Sequence, residues 1–70
     1  MFYFEALFTI ERGSLWRNKK TGNLYEVIGV AEQSEDGTAL VIYKRTETNM
    51  KKLWARPADI WLDKFEKEYD

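Results

Sequence analysis

The sequence predicts a mainly β domain, and three features carry that prediction. Two runs, residues 24–31 and 38–45, alternate apolar and polar positions and are rich in β-branched side chains. An Asp36-Gly37 pair stands between them, where a hairpin needs a residue of positive φ. Turn residues recur about every eight to twelve positions, with no long helical period between them.

In the first run Tyr25, Val27 and Gly29 fall on one side, and Leu24, Ile28 and Val30 on the other. In the second, Ala39, Val41 and Tyr43 oppose Leu40, Ile42 and Lys44. The two form a hairpin closed by Ser34-Glu35-Asp36-Gly37. Ahead of it, Leu15-Trp16-Arg17 reads as a short strand, and the polar turn over residues 18–23, with Gly22 and Asn23, makes a second hairpin. A polar link over residues 46–49 leads to a fourth strand at Lys52-Leu53-Trp54-Ala55, stopped at Arg56-Pro57 because proline cannot donate to a ladder. Pro57 suits the first turn of a short helix or 3₁₀ winding over Ala58-Asp59-Ile60-Trp61. Residues 62–65 return as a closing strand, and residues 66–70 form a frayed acidic tail. Residues 2–10 fit a strand, through Phe2, Phe4, Ala6 and Phe8, or a helix, through Phe4, Leu7 and Phe8; the strand is the favoured reading.

These elements describe a small SH3-like barrel, or a curled antiparallel sheet of about four to six strands with one short helical turn. Seventy residues hold a single domain. The chain has no Cys, so its eleven Phe, Trp and Tyr rings, or association between copies, must offset the conformational entropy of folding. An apolar first strand would present an edge for pairing with another chain, and a homo-oligomer is expected.

Composition narrows the chemistry. With neither Cys nor His, the usual zinc ligands, a thiolate nucleophile and a side chain titrating near neutrality are all missing, so no metal and no cofactor are expected. Glu35 and Asp36 are adjacent in a turn and direct their carboxylates apart; Ser14 and Ser34 have no His to activate them; no Gly-rich loop opens a helix to cradle phosphate. A non-enzyme is expected. Residues 1–10 lack the pattern of a signal peptide, and their apolar run, broken by Glu5, is too short to span a bilayer, so a soluble, cytoplasmic protein without membrane contact is expected.

The net charge of −1 conceals a segregation. Arg12, Arg17, Lys19 and Lys20 make one basic segment, and Lys44, Arg45, Lys51, Lys52 and Arg56 another, while acid collects at Glu35-Asp36 and after Asp59. Trp16-Arg17, Tyr43 with Lys44 and Arg45, and Trp54 with Arg56 set rings beside cations, the combination that stacks on bases and grips phosphate. Against this stands the ordinary reading of each ring as core and each cation as a solvated neighbour, with Arg56 paired to Asp59.

The segment from Gly13 to Phe65 resembles a small bacterial and phage family catalogued as a domain of unknown function, number 1653. The resemblance rests on the run from Lys19 through Gly22-Asn23-Leu24-Tyr25 to Ala31, on Leu40-Val41-Ile42-Tyr43, and on Leu53-Trp54-Ala55-Arg56-Pro57 followed by Trp61. It implies a small β-rich fold and a prokaryotic or phage origin, and no activity.

Two functions of different class follow. In the first, a non-catalytic module captures a small anionic aromatic ligand, a nucleotide or cyclic nucleotide signal, through Trp16, Arg17, Tyr43, Arg45, Trp54 and Arg56, with a second subunit completing the pocket; a phage would use it as a counter-defence sponge in the host cytoplasm. In the second, an adaptor presents Trp16, Trp54 and Trp61 with a basic rim to a host protein or single-stranded nucleic acid. Duplex nucleic acid is disfavoured by a pI near 5.4.

Overall fold

The alternating runs form the longest ladder of the molecule, in which β2 (Leu24–Glu32) pairs antiparallel with β3 (Ala39–Arg45). Gly37 takes φ +76°, as the Asp-Gly turn requires. Asp36 Oδ1 accepts from the Thr38 N–H and hydroxyl at 3.0 and 2.7 Å, closing the hairpin. The register slips between Val27 and Gly29, a bulge that bends the sheet. In this computed structural model residues 1–46 and 51–69 are described.

β1 (Leu15–Asn18) pairs with β2 across the turn at residues 18–23, where Asn18 Oδ1 accepts the backbone N–H groups of Lys20 and Thr21 at 2.9 and 3.1 Å. Beyond β3 lies β4 (Trp54–Pro57), and beyond β1 lies β5 (Phe65–Lys67), giving one antiparallel sheet in the order β4-β3-β2-β1-β5. Among the described residues no ladder joins β4 to β5. The architecture is therefore the curled sheet, not the closed barrel.

Several local expectations are corrected, among them the fourth strand, which begins at Trp54, not Lys52, and includes Arg56 and Pro57. Residues 3–9 form a helix, α1 (Tyr3–Thr9), where a strand was favoured. Phe2, Phe4, Ala6 and Phe8 alternate in type, but only Ala6 and Ile10, four apart, are buried, and that is helical spacing. The second helix, α2 (Ala58–Lys64), continues past Trp61 through residues expected to be extended, and the last strand begins only at Phe65. Burial at Ala58, Trp61 and Phe65, at intervals of three and four, explains the continuation. Pro57 closes β4 and caps α2 with φ −55° and ψ 138°, an extended geometry its ring permits, so it precedes the helix. The tail is also less frayed than expected. Glu66 and Lys67 belong to β5, and the Glu68 N–H donates to the Leu15 carbonyl at 2.8 Å. The predicted link beyond Thr46, and Asp70 of the tail, lie outside the described residues.

Both helices contribute to the core that lines one face of the sheet. Ala6 from α1 and Ile10 at its C-cap, with Ala58 and Trp61 from α2, are buried with Trp16, Val27, Ala39, Val41, Tyr43 and Phe65. Trp61 is fully buried, stacked on Phe65 at 3.9 Å between centroids with its plane tilted by 11°. Trp16 meets it edge-on at 5.8 Å, and Tyr43 approaches at 4.7 Å. Rings of this size each contribute roughly 1.5–3 kcal/mol on burial, so this cluster stands in for the missing disulfides.

Candidate functional site

Register decides which predicted site residues meet. Tyr43 pairs with Trp54 and Val41 with Arg56, while Tyr25 pairs with Arg45. Because alternate strand positions share a face, Tyr25, Tyr43, Arg45, Trp54 and Arg56 all lie on the side of the sheet that carries the core. Tyr43 is buried there, and the others are half-buried. Tyr43 and Trp54 stack with centroids 5.9 Å apart; Tyr25 stands edge-on to both, at 5.5 and 6.5 Å.

Arg56 is held from two sides. Its Nε donates to the Tyr43 hydroxyl at 3.2 Å, and its guanidinium carbon lies 5.5 Å from the centre of the Phe65 ring. Asp59, the carboxylate that the ordinary reading pairs with it, instead accepts from the Met1 amino group at 2.9 Å. Among the described residues no carboxylate pairs with Arg56. A second cation stands close by, with Lys52 Nζ 5.3 Å from the centre of the Trp54 ring.

The other two predicted residues have different roles. Trp16 is a core residue, buried, with its indole N–H donated to the Ser14 hydroxyl at 2.8 Å. Arg17, one position on, projects from the opposite face. There its Nη2 and Nε donate to the Glu68 carboxylate at 3.1 and 3.3 Å, and its Nη1 donates to the Gly22 carbonyl at 2.7 Å. These hydrogen bonds, and then the charge of the guanidinium, hold the Glu68 carboxyl below the usual range. The burial of Trp16 and Trp61 also removes two of the three indoles that an adaptor was expected to present.

Tyr25, Lys52 and Phe65 also belong to the cluster, although the sequence does not single them out as site residues. The alternation placing Tyr25 beside Val27 was the available signal for the first, and two-residue spacing from Trp54 for the second; Phe65 arrives from the far edge of the sheet, which no local pattern reveals. Away from the cluster, a cavity of about 400 Å³ opens between residues 11–15 and 67–69. It is lined by both signs of charge, Glu11 and Glu68 with Arg12 and Lys67, and shares no residue with the aromatic face. Among the described residues no helix is long and apolar enough to cross a membrane.

The segment that supplies β2, β3, β4 and α2 is also the segment that matches a known family: the description "Protein of unknown function (DUF1653)" fits residues 19–70. The chain belongs to the DUF1653 family. In this DUF1653 chain, α1 and β1 precede the matched residues, whereas Tyr25, Tyr43, Arg45, Trp54 and Arg56 lie within them. No curated protein and no solved structure matches the chain.

Proposed function

We propose that this chain is a non-catalytic binding module that takes a small anionic aromatic ligand, of the nucleotide class, on the face formed by Tyr25, Tyr43, Trp54 and Arg56. The observation that carries the reading is Arg56. It is a half-buried guanidinium, positioned by a phenol and a ring, with no carboxylate partner among the described residues. A fixed fork of this kind suits a phosphate, and the half-exposed Trp54 beside it offers a surface on which a base stacks. Lys52 and Arg45 flank the same rings and add positive charge.

Stacking contributes about 1–3 kcal/mol per base, and hydrogen bonds to a charged group about 1.5–3 kcal/mol. With the cost of association set against them, these terms correspond to weak affinity, about the millimolar range. Trp54 and Arg56 are half-exposed, so the ligand is held at the surface and not enclosed. A module of this kind acts by sequestration, as a counter-defence protein that withdraws a nucleotide messenger does.

Calorimetric titration with mono-, di- and cyclic nucleotides tests the reading. Binding is expected, weakened at least tenfold by Arg56→Ala and by Trp54→Ala, with the ligand recovered unaltered by chromatography. No heat at millimolar nucleotide overturns it.

A further inference from the structure

α1 is apolar on both sides. Ala6 and Ile10 point into the core, while Phe4, Leu7 and Phe8, at i, i+3 and i+4, form a second stripe that faces solvent at 73%, 41% and 86% exposure. Phe2, at the N-cap, adds a further ring that is 70% exposed. A helix that is hydrophobic all round is ordinarily one that is covered all round. This helix has seven residues and no side-chain cap, so its own backbone supplies little stability and packing must hold it.

We infer that this stripe is the contact by which two copies of the chain associate, α1 against α1, about a two-fold axis. Three considerations favour a second copy. With each aromatic side chain taken as roughly 200 Å², the stripe together with Phe2 offers about 500 Å² per copy, and two copies together bury about the 1,000 Å² that a biological interface should clear. The only charged side chain of α1 is Glu5, so the helix has no basic rim to seat it on a lipid surface and no charge pattern to select an unlike protein. A two-fold contact needs only a patch complementary to itself, and a stripe of Phe and Leu meets that condition.

The contact leaves the aromatic face free. Phe2 bridges to Thr38 and the Ala39 N–H donates to the Met1 carbonyl, which places the start of α1 at the opposite end of β3 from Tyr43 and Arg45. The inference thus stands apart from the nucleotide reading, and either can fail alone.

Sedimentation velocity over a concentration series, from about 1 µM to about 500 µM, reads the association directly. A monomer–dimer equilibrium within that range is expected, with dissociation at least tenfold easier in Phe4→Glu and in Phe8→Glu. Because the chain has no cysteine, Phe8→Cys gives a single-thiol variant that should cross-link to a covalent dimer on mild oxidation, while Lys20→Cys, on the turn after β1, should not. The cross-linking result decides the matter if either glutamate variant fails to fold. A chain that stays monomeric throughout, a dimer indifferent to both glutamates, equal cross-linking of the two thiol variants, or sedimentation with zwitterionic lipid vesicles in place of dimerisation overturns the inference.

Discussion

Arg56 Nε and the Tyr43 hydroxyl meet at 3.2 Å, diagonally across the β3–β4 ladder. The phenol thereby fixes the plane of the guanidinium. If Arg56 grips an anion, Tyr43→Phe should weaken nucleotide binding about fivefold, the equivalent of one net hydrogen bond of about 1 kcal/mol, while leaving the fold intact. Titration calorimetry beside a thermal melt checks this. Unchanged affinity would mean that Arg56 is not oriented by Tyr43 for binding.

Trp61 stacks on Phe65 at 3.9 Å and is fully buried. Its truncation to alanine should cost about 3–5 kcal/mol, against a total stability of roughly 4–10 kcal/mol for a domain of this size. Urea unfolding followed by circular dichroism should show Trp61→Ala largely unfolded, and Trp54→Ala, at a half-buried position, much less affected.

Gly37 adopts φ +76° at the β2–β3 turn, a region that a side chain disfavours by about 1–2 kcal/mol. Gly37→Ala should lower the melting temperature by roughly 5–10 °C. Gly29→Ala serves as the control, since Gly29 has no positive φ and a Cβ there meets nothing within 4 Å. Equal effects at the two positions would contradict the turn geometry.

Acid sensitivity follows from two carboxylates. Glu68 is held below the usual range by hydrogen bonds and charge from Arg17, and Asp36 by the backbone N–H and then the hydroxyl of Thr38. Both folded-state values lie below the unfolded ones. The stability they contribute is therefore complete above the ordinary carboxylate range, about 3.9–4.3, and is lost as pH falls through the lower folded values. Both groups are exposed, so the effect is modest and shrinks in salt. Melts between neutral pH and pH 3 should show a smaller acid loss for Glu68→Gln than for the parent chain; identical pH profiles would count against the Arg17 contact.

The central hairpin was legible because three signals agreed in residues 24–45: alternation, β-branching and the Asp-Gly turn. Residues 2–10 were not, because over nine positions a two-residue and a 3.6-residue period both fit Phe4 and Phe8, and tertiary burial of Ala6 and Ile10 decided between them. The end of α2 was misjudged for a related reason. Leu62 looks extended beside Phe65 until Trp61 is known to be buried on the inner side of α2. Within the site, alternation separated Trp16 from Arg17 onto opposite faces, and the β3–β4 register brought Trp54 and Arg56 to Tyr43. The Arg56–Asp59 pairing was undone by the Met1 amino group, which local sequence spacing does not reveal.

Among the described residues the sheet ends at two unpaired margins, and each is poorly suited to accepting another strand. β4 finishes in Pro57, which has no N–H to donate, and β5 offers only three residues. Edge-to-edge stacking is thereby disfavoured without closing the sheet, even in an open architecture rich in aromatic side chains.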